Sequence, residues 1–184
     1  MATILWQDVE TGALDRCRME AGRDGLRLSG TVLTPAHGTP LDVRYQVETG
    51  PDGLTRRVEL ELDGGSTHRV LLADGAGSWR WEDGAELAGV AGALDVDLTV
   101  TPATNTLPIR RLAALETGGQ RDFRMAWVQF PDLGVIASAQ RYQRLAPDRW
   151  HFSTGDFHAE LLVDPDGLVL DYGGLFRSLA YRRD

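Results

Sequence analysis

Residues 94–112, LDVDLTVTPATNTLPIRRL, change from one hydrophobic period to another. Apolar residues stand at every second position from Leu94 to Val100, which is the period of a half-buried β-strand. From residue 105 onward the apolar residues no longer alternate, and on a helix they would cover most of the circumference. A helix that is hydrophobic nearly all round is buried. The sequence therefore predicts a strand followed directly by a buried helix over residues 105–117.

The ends of this predicted helix carry local signals. Thr104 or Asn105 can cap the N-terminus, because a short polar side chain there can accept a hydrogen bond from a free backbone N–H. Gly118 and Gly119 are typical of a helix C-terminus and are expected to end it.

Alternating segments and Asp-Gly dipeptides dominate the rest of the chain. An Asp-Gly dipeptide between two alternating segments is a strong hairpin signal, because glycine accepts a positive φ angle. The six dipeptides begin at Asp24, Asp52, Asp63, Asp74, Asp83 and Asp166. Strands are expected near residues 13–21, 25–33, 41–48, 57–62, 67–72, 78–82, 94–101, 123–130, 134–145, 149–154, 157–163 and 168–173.

So many strands should make a sheet that curls or closes on itself. The predicted fold is mainly β, a many-stranded antiparallel sheet wound around a single central α-helix. A chain of 184 residues fits one domain, spanning residues 1–184.

Composition limits the classes of partner. The net charge of -8, with scattered acidic residues, opposes binding to nucleic acid and to anionic membrane surfaces. No apolar run has the length of a membrane span, and the N-terminal residues lack the pattern of a secretory signal, so a cytoplasmic location is expected. The single cysteine, Cys17, lies in an alternating stretch and is expected in the core.

Known catalytic motifs do not occur in this sequence. It has no Gly-x-Ser-x-Gly elbow, no His-Glu-x-x-His and no phosphate loop. The histidines are scattered, so neither a metal site nor a cofactor is expected; they are His37, His68, His151 and His158.

Two pairs of charged residues remain as candidates for chemistry. Asp95 and Asp97 share one strand face, as solvated acids or as a catalytic carboxylate pair of the glycosidase kind. Arg110 and Arg111 lie on the predicted helix, where a buried guanidinium needs a partner. The arginines either pair with an aspartate (Asp95, Asp97 or Asp171), or are simply solvated, or bind an anionic or hydroxyl-rich ligand at a cavity mouth.

Aromatic residues are the remaining signal. They either pack in the core or line a binding site, since sugar rings and acyl chains both favour aromatic walls. The candidates are Trp79, Trp81, Trp127, Phe130, Tyr142, Trp150, Tyr172 and Phe176.

Four segments resemble one known bacterial family, the putative glycolipid-binding proteins. They are VDLTVTPATNTLPIRRL, AWVQFPDL (126–133), QRYQRL (140–145) and FHAELLVDPDGLVLDYGGLFR (157–177). The resemblance is close in the C-terminal half, and the Asn-Thr-Leu-Pro-Ile-Arg-Arg string is its most specific part. It implies a spiral β-roll around one helix, a homodimer, and an amphipathic ligand such as a glycolipid.

The leading hypothesis is a binding protein or carrier for a glycolipid or another amphipathic, lipid-like molecule. The alternatives are an enzyme acting on such a molecule through Asp95 or Asp97, and a dimeric interaction module without a small ligand. The candidate ligand-binding residues are Asn105, Arg110, Arg111, Trp79, Trp127 and Tyr172.

Overall fold

The computed structural model describes residues 1–36 and 38–183, which form one 14-stranded sheet with one short α-helix. The strands of the first half are β1 (Ala2–Asp8), β2 (Leu14–Gly22), β3 (Gly25–Ala36), β4 (Thr39–Thr49), β5 (Thr55–Leu62), β6 (Thr67–Ala73) and β7 (Trp79–Trp81). Those of the second half are β8 (Asp95–Leu98), β9 (Gln120–Gln129), β10 (Gly134–Ala146), β11 (Arg149–Thr154), β12 (Phe157–Val163), β13 (Val169–Tyr172) and β14 (Phe176–Arg183). The helix α1 (Thr106–Arg111) lies between β8 and β9 and follows a 3₁₀ turn over Pro102–Asn105.

The sheet consists of two meanders joined by the first and last strands of the chain. The strand order is β7-β6-β5-β4-β3-β2-β1-β14-β13-β12-β11-β10-β9-β8. β1 and β14 pair antiparallel in the middle of the sheet, and the sequence did not predict either of them. β14 is exposed at every position but Phe176, so it lacks the alternation that marks a half-buried strand.

The sheet is mixed, and the prediction of an antiparallel sheet is wrong at one pair of strands. β8 and β9 run parallel, with Asp97 beside Trp127. A parallel pair needs a long crossover connection, which the segment carrying α1 supplies. The start of β8 also approaches β5 through Thr55. The backbone N–H of Thr55 donates to the carbonyl of Leu94 at 3.2 Å, and the Thr55 hydroxyl accepts a hydrogen bond from the N–H of Val96.

The Asp-Gly prediction is confirmed at the five dipeptides that join consecutive paired strands, which begin at Asp24, Asp52, Asp63, Asp74 and Asp166. The sixth, Asp83-Gly84, follows β7 and is closed only by an isolated bridge between Arg80 and Glu86. Glycine is required most clearly at Gly25, where φ is +131°. A Cβ atom there would stand 2.2 Å from the backbone oxygen of Thr49, so a side chain would force β3 away from the end of β4.

The core lies on one face of the sheet and follows the predicted alternation. On β4, Val43, Tyr45 and Val47 are buried. The Trp6 indole is fully buried and donates a hydrogen bond to the carbonyl of Val169 at 2.9 Å, which links the two meanders. Cys17 is fully buried, as predicted.

The helix is shorter than predicted, ending at Arg111 rather than at Gly118 and Gly119. Its first four residues are buried, as expected of an apolar helix. After Arg111 the chain continues in tighter turns, with Ala113 donating to the carbonyl of Arg110. The Arg144 guanidinium donates to the carbonyls of Ala113 and Leu115 at 2.8 and 2.7 Å and so replaces the backbone N–H donors that a helix continuing to residues 117–119 would supply. Neither this helix nor any other in the described chain is long and apolar enough to cross a membrane.

The capping prediction is also wrong. The Asn105 side chain makes no cap hydrogen bond, and the Thr104 hydroxyl is engaged with β8. Instead, Thr101 caps the preceding 3₁₀ turn by accepting from the N–H of Ala103 at 3.0 Å. The side chains of Thr104 and Asn105 form tertiary hydrogen bonds instead of capping the helix.

Candidate functional site

A cleft of about 460 Å³ opens beside the C-terminal meander. Its walls come from β8 to β13 and from the start of β14, and the 3₁₀ turn before α1 closes one end. One wall is aromatic, formed by Trp127, Phe152, Phe157, Tyr172 and Phe176. The cleft brings together three of the predicted binding residues, namely Asn105, Trp127 and Tyr172.

Strand register builds the aromatic wall. Tyr172 and Phe176 face each other across β13 and β14, and their stacked rings lie 6.2 Å apart. Phe152 meets Tyr172 edge-on at 5.9 Å, and Phe157 lies 6.1 Å from Phe152. Aromatic pairs at these distances stabilise one another beyond their burial, so these four rings form one packed cluster.

The floor of the cleft is polar and is centred on Asp97. Its carboxylate accepts a hydrogen bond from the Thr104 hydroxyl at 2.9 Å and another from the Gln140 side-chain amide at 2.6 Å. Burial raises the pKa of Asp97 above its usual value, and the hydrogen bonds from Gln140 and Thr104 offset part of this rise. Among the residues that the structure describes, no cation lies within ion-pairing distance of Asp97.

The hydrogen-bond network continues from Gln140 to Asn105. The Tyr142 hydroxyl donates to the Gln140 side-chain oxygen at 3.2 Å and accepts from the Asn105 side-chain amide at 2.8 Å. Burial raises the pKa of both Tyr142 and Tyr172, and the nearby Asp97 carboxylate raises them further. Both phenols therefore remain protonated and act as neutral hydrogen-bonding groups.

A second buried carboxylate, Asp15 on β2, lies behind the cleft residue Thr101. The Thr101 hydroxyl donates to Asp15 at 2.5 Å, and the Tyr45 hydroxyl lies 3.2 Å from it. Burial raises the pKa of Asp15 from 3.8 to about 7, although hydrogen bonds from Thr101 and Tyr45 oppose the rise. Asp15 is not among the residues predicted from the sequence, although it lies in the same inward-facing row as Cys17, which alternates with exposed residues such as Arg16, and is the one acidic residue of that row.

Arg111 forms an ion pair with Asp95, which was one of the alternatives predicted for this side chain. Its two terminal nitrogens each lie 2.5 Å from an oxygen of Asp95, and the Asp95 side chain is 0% exposed. The guanidinium also stacks over Phe123, with 5.3 Å to the ring centroid. This bidentate, shielded geometry occupies both groups, so Arg111 does not line the cleft.

Arg110 lies outside the cleft as well. It donates to the carbonyl of Asp166 at 2.8 Å, and its side chain is 33% exposed. The other aspartate considered as a partner, Asp171, is exposed on β13 and forms no ion pair with either arginine.

Trp79 lies on β7, at the opposite edge of the sheet from β8. Its indole is buried and donates to the carbonyl of Ala93 at 2.8 Å. It borders a separate cavity of about 400 Å³ that includes Arg80 and Leu87 but none of the other predicted site residues.

The residues that the structure describes contain no group of three or more potential metal ligands. His151 and His158 stack at 6.1 Å on neighbouring strands, while His37 lies outside the described residues.

The model of the family described as "Putative glycolipid-binding" matches residues 3–178, which is nearly the whole chain. The chain belongs to this family. The match confirms the resemblance seen in the four segments and extends it through the N-terminal meander.

Two solved structures are similar to this chain. The crystal structure of a DUF1089 family protein from Pseudomonas aeruginosa is 32% identical over 91% of this chain and 92% of that chain, with a TM-score of 0.82. A beta-barrel-like protein of the domain of unknown function DUF1849 from Brucella abortus is 10% identical, with a TM-score of 0.56 over 98% of this chain and 95% of that chain. The second likeness concerns the fold alone. No curated protein matches the chain significantly.

Proposed function

We propose that this protein binds the head group of a glycolipid or a similar amphipathic molecule in the cleft beside Asp97. The observation that carries this proposal is the meeting of an aromatic wall with a hydrogen-bonding floor in one cavity. The apolar faces of sugar rings stack on aromatic side chains, while their hydroxyls need a few well-placed polar groups. Trp127 lies beside Asp97 in the β8–β9 pair, so both kinds of contact are available to one ring.

The mouth of the cleft suits the apolar part of such a molecule. Phe157 is 39% exposed at this position, and Leu175 is partly buried beside Phe176. A ligand whose sugar reaches Asp97 would leave its alkyl chain against these side chains and shield them from water.

Binding is proposed rather than catalysis. A glycosidase needs two carboxyl groups that can both reach the reacting bond. Asp95 is fully buried in its ion pair with Arg111 and does not line the cleft, so it cannot act with Asp97 in that way.

We also propose that the sheet winds around α1. Three contacts support it: Arg111 reaches Asp95 on β8 and the Gly53 turn before β5, and Arg110 reaches the Asp166 turn before β13. The helix thus touches turns of both meanders. The homodimer and the cytoplasmic location stay predictions.

Calorimetric titration with octyl glucoside, below its micelle-forming concentration, tests the proposal. We expect saturable one-site binding, and we expect Trp127→Ala to weaken it about tenfold or more through the lost stacking surface. Trp81→Ala on β7 is the matched control, because Trp81 stacks with Arg69 far along the sheet and does not line the cleft.

An absence of binding would overturn the proposed function. An equal loss of affinity in Trp127→Ala and Trp81→Ala would show that the cleft is not the binding site. Native mass spectrometry of freshly purified protein would identify any amphiphile that remains bound.

A further inference from the structure

The charges around the cleft limit which head groups it can accept. Its lining contains one carboxylate, Asp97, and no arginine, lysine or histidine. The nearby helix cation does not compensate this charge, because Arg111 is committed to Asp95. Although burial raises the pKa of Asp97, no cation in the lining balances its negative charge once the carboxyl group is ionised.

The hydrogen bonds of Asp97 leave it able to bind a ligand donor. Its side-chain partners, Thr104 and Gln140, are both neutral and each donates one hydrogen bond. A carboxylate has about four acceptor positions on its two oxygens, so it can accept further hydrogen bonds.

Several neighbouring hydrogen-bond donors already have partners within the protein. The Tyr142 hydroxyl donates to Gln140, and the Thr101 hydroxyl donates to Asp15. Gln140 donates one amide N–H to Asp97, and Asn105 donates one to Tyr142. Among the residues that line the cleft, Asp97 is the one charged group, so its carboxylate is the strongest acceptor offered to a ligand donor.

We propose that Asp97 makes the cleft selective for head groups that donate hydrogen bonds and carry no negative charge, such as a neutral or amino sugar, and that it rejects phosphate and sulfate head groups. This inference rests on the proposed function, since it concerns the same cleft. A phosphate on the floor would place a second negative charge against Asp97 without a cation to balance it. At contact distance in a partly buried site, that repulsion lowers affinity by more than about tenfold.

Two probes with the same alkyl chain test the selectivity. Octyl glucoside and octyl phosphate are titrated into the full chain at pH 8 and low salt, below their micelle-forming concentrations. The wild type should prefer octyl glucoside by about tenfold or more, and Asp97→Asn should reduce the preference to less than about threefold. Asp122→Asn is the control, because it removes the same charge from an exposed position on β9 that does not line the cleft.

A second variant keeps the test decisive if Asp97→Asn does not fold. Ser138→Arg introduces a cation on the cleft wall at β10, and it should raise the affinity for octyl phosphate. Equal binding of both probes by the wild type would overturn the selectivity and leave the proposed function standing. Binding of neither probe would overturn both proposals. A preference that persists in a folded Asp97→Asn variant would show that Asp97 does not set it, and an unchanged affinity of Ser138→Arg for octyl phosphate would show that the charge of the cleft does not.

Discussion

Asp95 and Asp97 stand two residues apart on β8, yet they have opposite surroundings. Asp95 is fully buried and is held by both terminal nitrogens of Arg111. Asp97 lies on the floor of the cleft, where its partners are a neutral hydroxyl and a neutral amide. The comparison shows that strand alternation assigns a side chain to a face of the sheet, whereas the segment packed on that face decides whether the side chain is structural or available to a ligand.

The segment that contains α1 gives Asp95 and Asp97 their different partners. Arg111 is its last residue, and from there the guanidinium reaches only the first aspartate of β8. The 3₁₀ turn before the helix packs beside the second, through Thr104.

Arg111→Ala tests the structural side of the comparison and should have the largest effect. It leaves the Asp95 charge buried without its partner, which should lower the free energy of unfolding by about 3 to 5 kcal/mol. Chemical denaturation at pH 7 measures the change. Arg110→Ala is the matched control on the neighbouring residue, and it should cost less than about 1 kcal/mol because Arg110 is more exposed and its ion-pairing distance to Asp166 is 3.9 Å.

Equal losses in the two arginine variants would contradict the distinction between them. A double variant that replaces Arg111 and Asp95 with apolar residues should recover much of the lost stability, because neither charge then remains buried alone.

Asp15 extends the comparison to a buried acid that has no cation. Its pKa is about 7 in the folded protein against 3.8 as an ordinary aspartate, so between these values the folded state holds a proton that the unfolded chain has released. The free energy of unfolding therefore falls as the pH rises through this interval. The interval runs from 3.8 to about 7, and each pH unit costs about 1.4 kcal/mol. The free energy of unfolding should therefore fall by about 4 kcal/mol across it.

Denaturation curves between pH 4 and pH 8 measure this effect as a difference between the wild type and Asp15→Asn. The asparagine variant cannot lose a proton, so its stability should fall by about 4 kcal/mol less over the same range. Parallel pH profiles for the two proteins would show that Asp15 is ionised throughout and that the network with Thr101 and Tyr45 fully supports its charge.

Much of the fold could be predicted because its signals are local. Alternation located twelve of the strands, and the Asp-Gly dipeptides located the turns between them. β14 could not be found in this way, because its stability comes from pairing with β1 and not from a buried face of its own. The end of α1 was misplaced for a similar reason, since the side chain that satisfies the following carbonyls, Arg144, lies more than 30 residues away.

The site could be predicted only in part. Asn105, Trp127 and Tyr172 are the expected residue types for binding a sugar, and the structure brings them to one cleft. Gln140 and Phe152 were missed, because neither is distinguishable in the sequence from other residues on alternating strands. The pairing of Arg111 with Asp95 rather than Asp97 depends on how α1 packs against β8, which no local pattern specifies.

One paired measurement tests whether Asp95 stabilises the folded protein while Asp97 binds the ligand. Asp95→Asn and Asp97→Asn are compared at pH 8 by chemical denaturation and by octyl glucoside and octyl phosphate titration. Asp95→Asn should lower the free energy of unfolding by about 3 kcal/mol and leave the preference for octyl glucoside intact. Asp97→Asn should cost less stability, about 1 to 2 kcal/mol, because the new amide group faces one of two neutral donors, and it should abolish the preference. The opposite result, with stability lost in Asp97→Asn and selectivity lost in Asp95→Asn, would contradict the account.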